Sequence, residues 1–243
     1  MRAGRRPLPL ANRLPADYCT AGTEMMTMRQ FAVIGLGKFG TSVARTLTRM
    51  GHEVLAIDAD PDKVQHVADE VTHAVQADAT DEEALRALGI RNVDVAVVTV
   101  GQDIRSSILA CMILKEIGVA YVVAKATDEL HGKLLEKLGV DRVVYPERDM
   151  GVRLANSLGS SNILEYIELS PDYGVAEIVA TEEFADKTLR DLNLRAHYGA
   201  NVVAIRTGSQ VKVSPGADDR VHEGDVLVIL GSTESLDRLK KMR

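Results

Sequence analysis

Three glycines at G-x-G-x-x-G spacing, Gly35-Leu36-Gly37-Lys38-Phe39-Gly40, are the residues of this chain whose pattern points most directly to chemistry. The spacing alone is weak evidence. Here it follows the apolar run 31–35, opens a segment of helical periodicity, and precedes a second apolar run that ends at Asp58. Strand, glycine turn, helix and an acid-tipped strand together form the dinucleotide-binding fingerprint. Gly35 makes the tight turn, Gly37 lets backbone approach a phosphate, and Gly40 packs helix on strand. The helix N-terminus offers unpaired N–H groups and positive potential to phosphates. Asp58 is expected to accept hydrogen bonds from ribose hydroxyls, and its charge disfavours a 2′-phosphate and hence NADP.

Lys38 lies inside the glycine loop, where a cation either meets a terminal phosphate or stays a solvated surface lysine. Asp78 and Asp103 follow the third and fourth expected strands and so face the same crevice by topology. Asp78 either touches the adenosine half of a ligand or caps the next helix. Tyr121 and Lys125 match the Y-x-x-x-K spacing of short-chain dehydrogenases, which needs a helix to bring i and i+4 together. The segment reads as a buried strand, where the two side chains stand roughly 13 Å apart. After Pro146 no His–Asp, Cys–His or paired-carboxylate arrangement marks a substrate-transforming site, and the six histidines, scattered without metal spacing, read as surface or boundary residues.

The elements that position these residues follow from periodicity. Apolar runs at 31–35, 53–58, 73–77, 93–100, 121–125 and 142–145 read as strands. Segments 38–50, 61–71, 82–88, 104–117 and 130–138 read as the helices between them. Gly89, Gly118 and Gly139 stop three of those helices, and Pro61 opens another. Strict alternation implies an α/β fold, a Rossmann-like doubly wound parallel sheet over 29–146. Residues 147–162 read as a crossover helix and hinge. The rest, 163–243, reads as a small α+β lobe suited to ligand sensing or dimerisation. Residues 1–28 hold Pro7, Pro9 and Pro15 without clean periodicity and read as a disordered leader or an upstream start rather than a targeting segment.

Composition bounds the rest. The 243 residues are 46% hydrophobic and 26% charged, enough to bury a core without staples. No apolar run approaches the roughly 18 residues that span a bilayer. A net charge of −6, no Trp and only nine Tyr plus Phe (six and three) argue against a nucleic-acid partner. Cys19 and Cys111 form neither metal spacing nor a disulfide framework, which fits a reducing cytoplasm.

Several stretches together resemble the RCK (regulator of potassium conductance) family. They are Phe31-Ala-Val-Ile-Gly-Leu-Gly-Lys-Phe-Gly40, Asp58, the Gln76-Ala-Asp-Ala-Thr80 turn, Tyr145-Pro-Glu-Arg-Asp-Met-Gly151, Asp191-Leu-Asn-Leu-Arg195 and Val213-Ser-Pro-Gly216. Within that family the chain is most similar to the cytoplasmic regulatory subunits of Ktr-type potassium uptake systems. The likeness covers about residues 29–243, and the Pro-Glu-Arg-Asp-Met-Gly and Asn-Leu-Arg segments are its discriminating parts.

The resemblance implies a non-enzymatic switch. RCK N-lobes bind ATP, ADP or NAD(H), and in Ktr subunits the adenine nucleotide gates rather than reacts. It implies dimers assembled as an octameric ring under a membrane potassium-translocating subunit of the KtrB/KtrD type, peripheral on the cytoplasmic face. Lys38 matches a basic residue near the γ-phosphate, often Arg in the family; Lys lacks the fork geometry. Lys125 matches a basic residue facing the pocket. Glu147 matches an acidic residue near the phosphates, where a divalent cation (Mg or Ca) binds across the dimer interface. Phe39, Asp60, Ala79, Thr80, Val100, Gly101 and Asp103 complete the expected nucleotide set with Gly35, Gly37, Gly40, Asp58 and Asp78. In the C-lobe, Arg195 and Asn201 match cyclic di-AMP contacts, with Leu194 and Pro215 beside them. Arg195 read alone is equally a surface ion pair, and Asn201 a turn residue. Two other classes stand against this reading: a small NAD-dependent oxidoreductase or NAD(H)-sensing regulator, and a redox-sensing transcription factor, for which the leader is too short to supply a helix-turn-helix.

Overall fold

The computed structural model describes residues 28–101, 103–159 and 162–239. The leader expectation therefore falls almost wholly outside the described residues, as does part of the hinge expected within 147–162. The chain divides into two compact units between Pro146 and Glu147.

In the first unit six parallel strands are ordered β3-β2-β1-β4-β5-β6. They are β1 (Gln30–Ile34), β2 (Glu53–Asp58), β3 (His73–Gln76), β4 (Val95–Val98), β5 (Tyr121–Lys125) and β6 (Arg142–Val144). The helices α1 (Lys38–Arg49), α2 (Pro61–Val67), α3 (Glu82–Ala87), α4 (Ile104–Ile117) and α5 (Glu129–Lys137) connect them. The α/β expectation is borne out. Successive strand residues feed opposite faces of the sheet. Thus Val33, Ala56 and Val97 join one buried cluster, while Ile34, Ile57 and Val98 join another with Leu114 and Leu135.

Local chemistry starts the helices. Asp60 accepts a hydrogen bond from the Asp62 amide with Pro61 at the first helical position, and Asp81, Asp103 and Asp128 cap α3, α4 and α5 in the same way. Such caps contribute about 1 kcal/mol each. Asp78 is therefore not the cap of α3. The fourth strand is shorter than its apolar run, because 90–92 forms a 3-10 turn before it and Thr99 beyond it turns its hydroxyl back onto the glycine loop.

The order of strands turns back between β1 and β4, which places the ends of these two neighbours, paired Ile34 to Val98, at the topological switch point. Tyr121 and Lys125 occupy the two ends of β5. The dehydrogenase spacing is accordingly not helical.

The second unit opens with α6 (Pro146–Leu158) and carries a five-stranded antiparallel sheet ordered β10-β9-β11-β8-β7. Its strands are β7 (Ile163–Ser170), β8 (Tyr173–Val179), β9 (Asn201–Thr207), β10 (Gln210–Val213) and β11 (Val226–Ser232). Helices α7 (Leu189–Leu192), α8 (Leu194–Tyr198) and α9 (Thr233–Leu239) accompany the sheet. Its core includes Ile178, Phe184, Leu227, Ile229 and Leu236, all fully buried. Two short helices, α7 and α8, adjoin at Asn193, which lies in the left-handed region (φ 41°).

One histidine departs from the surface expectation. His131 in α5 is 1% exposed. Its Nδ1 lies 3.3 Å from the Thr127 amide, while Nε2 is buried without a partner among the described residues. Burial holds the imidazole below its ordinary pKa, against a smaller upward pull from Asp128. An unfolded histidine takes up its proton near pH 6.5, and the buried one only at lower pH. Below 6.5 the unfolded chain therefore binds more protons, and stability is lost as pH falls through that window. The urea midpoint should drop between pH 7.5 and pH 5.5, and His131→Gln should flatten that dependence.

Candidate functional site

The site is built on the turn between β1 and α1. Gly35 has φ +94°, a left-handed conformation that L side chains rarely adopt. A Cβ on Gly40 would lie 1.9 Å from the Gly35 carbonyl oxygen and 2.5 Å from Thr99 Oγ1. Only hydrogen fits there. Gly37 differs, since a Cβ on it would meet nothing within 4 Å and its φ of −67° suits any residue. Its side faces open space, as a loop that receives a phosphate requires. Gly37 is also the N-cap of α1 and supplies no side-chain cap, and no acid occupies the first turn. The helix end is left with bare amides and the positive end of its dipole. Lys38, the first residue of α1, is exposed beside them.

Asp58 ends β2 and braces this loop. One carboxylate oxygen accepts the Leu36 amide at 2.6 Å. The other accepts the Asp60 amide at 2.9 Å and faces Lys63 Nζ at 3.5 Å. Val100 packs against Gly35, because a Cβ there would sit 2.9 Å from the Val100 amide nitrogen. Phe39, Gly101 and Lys125 come together next to it. Lys125 Nζ lies 6.0 Å from the Phe39 ring centre and would be 3.5 Å from a Cβ on Gly101.

At the end of β3, Asp78 folds onto its own turn. It accepts the Thr80 amide at 2.8 Å and the Thr80 hydroxyl at 2.7 Å, with Ala79 between. The amide bond first, then the hydroxyl, holds its pKa below the usual carboxylate value. Asp103 caps α4 and is held low chiefly by the Ser106 hydroxyl at 2.6 Å. Both carboxylates stay charged at neutral pH.

The remaining expected residues belong to the second unit. Glu147 is exposed in the first turn of α6. Arg195 on α8 and Asn201 at the start of β9 are exposed, and Arg195 forms no ion pair with the described residues. Pro215 is half-buried in the loop after β10, beside Ser214 at φ 52°. Leu194 is different. At 4% exposure it packs into the core, so its side chain anchors α8 rather than standing out for a ligand.

Comparison with known proteins adds the family. Residues 31–146 match the TrkA-N domain and residues 175–242 the TrkA-C domain. Ktr system potassium uptake protein C of Bacillus subtilis (strain 168) is 46% identical over 213 residues, which cover 88% of this chain and 96% of that protein. Protein A of the same organism is 45% identical over 212 residues, covering 87% and 96%. The chain belongs to the family of Ktr system potassium uptake proteins A and C.

A more distant member of the family, protein A of Vibrio alginolyticus, is 35% identical, with 88% of this chain and 98% of that protein covered. Among solved structures, the GsuK RCK domain superposes with TM-score 0.63 at 20% identity over 97% of this chain. The GsuK channel bound to NAD superposes with TM-score 0.64 at 18% identity over 93%. The chain spans 50% and 40% of those two structures, and at such identity they establish a shared RCK fold.

Sequence reasoning missed two residues of the site. Thr99 is 7% exposed and bonds the carbonyls of Ile34 and Gly35 at 3.2 and 2.5 Å, which locks the glycine turn to β4. A threonine inside the apolar run 93–100 is its only signal. Lys63 pairs with Asp58 and with Asp60. A lysine five residues past the strand tip carries no signal until the turn is known.

Proposed function

We propose that this chain is a cytoplasmic regulatory subunit that gates a membrane potassium transporter according to the adenine nucleotide it holds, ATP or ADP. It works as a dimer within an octameric ring, peripheral at the membrane through its transporter partner. Cyclic di-AMP is the second ligand, at Arg195 and Asn201 of the second unit. The observation that carries the nucleotide reading is the glycine turn, with open space at Gly37, bare α1 amides and Asp58 braced beneath. The relatives' names carry the potassium reading. NAD(H) is the alternative occupant, since the glycine turn and Asp58 suit its ribose and phosphates equally. No helix among the described residues is long and apolar enough to cross a membrane, so the translocating path is assigned to a partner.

ATP and ADP differ by one phosphoryl group, so a switch must read that group. Lys38 is the exposed cation at the helix start and the group best placed to do so. A divalent cation at Glu147 suits the residues in one mode only. Among the described residues no three His, Cys, Asp or Glu gather to hold a metal. A magnesium ion held by one or two carboxylates with nucleotide phosphates as its other ligands needs no such cage. Different contacts in the two nucleotide states would then bias the subunit between two arrangements.

The test is potassium flux through the reconstituted transporter, with ATP or ADP supplied. ATP and ADP should support different flux, and Lys38→Ala should narrow the ATP-to-ADP affinity ratio. Glu147→Gln should reduce the magnesium or calcium dependence of ATP-stimulated flux. A coupling of about 1–3 kcal/mol between nucleotide and transporter state is typical of allostery. Equal flux with the two nucleotides refutes the switch, and steady NADH or ATP consumption by the subunit alone points to an enzyme. For the second ligand, Arg195→Ala in the full chain should abolish cyclic di-AMP binding by calorimetry while leaving ATP affinity unchanged.

A further inference from the structure

Lys63 is absorbed by none of the roles above, and its geometry bears on how a ribose enters. That role rests on the nucleotide reading of the glycine turn. A carboxylate offers about four lone-pair positions. On Asp58 the Leu36 amide takes one at 2.6 Å, the Asp60 amide a second at 2.9 Å, and Lys63 Nζ a third at 3.5 Å. One position remains. A ribose cis-diol presents two hydroxyl donors and needs two.

The two backbone contacts are short and built into the turn. The lysine contact is long, at the outer limit of a hydrogen bond, and the lysine side chain is 45% exposed. Lys63 also has somewhere to go. Asp60 Oδ2 lies 3.7 Å from the same Nζ, and Asp60 commits only its other oxygen, Oδ1, to capping α2 at 3.0 Å.

We propose that Lys63 is a specificity-determining gate on the ribose end of the site. Its ammonium lies across Asp58 and Asp60, at 3.5 and 3.7 Å. A nucleotide with an intact 2′,3′-diol takes over the Asp58 oxygen, and the ammonium is handed to Asp60. The hand-off makes entry depend on the diol and lowers affinity by the strength of the displaced contact. An exposed pair of this kind is weak, which corresponds to a factor of about two to five in binding.

The experiment is calorimetric titration of the full chain with ATP and with 2′,3′-dideoxy-ATP, which carries the same charge and no diol. The readout is the ratio of the two affinities, because a change of net charge moves both ligands alike. Lys63→Met should raise the ratio about two- to five-fold. Asp60→Asn keeps an equally good helix cap but removes the second anchor, so it should lower the ratio. The double variant should return to the value of Lys63→Met. An unchanged or lowered ratio in Lys63→Met overturns the gate, as does a double variant that behaves like Asp60→Asn. If the wild type binds neither nucleotide, the nucleotide reading falls and the gate with it. If it binds both and no ratio moves, the gate alone falls.

Discussion

Gly40→Ala should destabilise the first unit by about 3 kcal/mol, the upper part of the range for overpacking a close-packed site. The added Cβ would lie 1.9 Å from the Gly35 carbonyl oxygen and 2.5 Å from Thr99 Oγ1. Neither neighbour can swing away cheaply. The first is backbone in a left-handed turn at φ +94°. The second is a buried hydroxyl already bonded to that same carbonyl. Alanine's better helix propensity, about 1 kcal/mol over glycine, is too small to compensate. Either α1 moves off the sheet or the turn opens, and both displace Leu36 from Asp58. Gly37→Ala, three residues earlier, should do the opposite. Its Cβ meets nothing and its φ is ordinary, so the urea midpoint should hold while ATP and ADP affinity fall together. Thermal or urea melts of the two variants, read beside nucleotide titration, separate the cases. Equal stability loss in both would show that the loop's open face is structural, and equal binding in Gly37→Ala would remove the phosphate from that face.

That contrast marks what a sequence can and cannot carry. The glycine spacing, the acid at the end of β2 and the helix-stopping Gly89, Gly118 and Gly139 are local signals, each decided within about five residues, and their elements formed where expected. Burial is not local. His131 sits on a helix whose pattern, with exposed Leu130 and Leu134 around it, suggests a surface histidine. In the fold it is 1% exposed, and the neighbouring Gly132 is in close contact with Tyr145, whose hydroxyl occupies the place of a Cβ there. The short helix α8 has five residues between two left-handed positions, too few for a 3.6-residue period to register. Leu194 illustrates the cost. Expected beside the ligand with Arg195, it is a core residue, because adjacent helix residues point about 100° apart. The fourth strand looked longer than it is because valine at 93 and at 100 is apolar for reasons outside the ladder. One closes a 3-10 turn and the other packs on the glycine loop.

Phe184→Ala should remove about 3–5 kcal/mol, the range for truncating a buried aromatic, from the second unit. Phe184 is the largest fully buried side chain described. It lies between β8 and α7 in sequence, in a stretch that is neither strand nor helix, so the polypeptide there is held by this ring and a few backbone bonds. Its cluster joins Ile178 of β8, Leu227 and Ile229 of β11, Leu194 of α8 and Leu236 of α9. None of those residues belongs to the two clusters of the first unit. A cavity under α8 would also loosen the helix that carries Arg195, so cyclic di-AMP binding should be lost although no residue expected to touch the ligand has changed. Hydrogen exchange locates the damage. Each 1.4 kcal/mol is tenfold in the opening equilibrium, so amides of β8 and β11 should exchange at least a hundredfold faster. Amides of β1 and β4 in the first unit should keep wild-type protection, and ATP affinity should stay within a factor of two. Slow exchange throughout β8 and β11 would mean that the second sheet does not depend on this core. Fast exchange in β1 and β4 as well would mean that the two units melt as one.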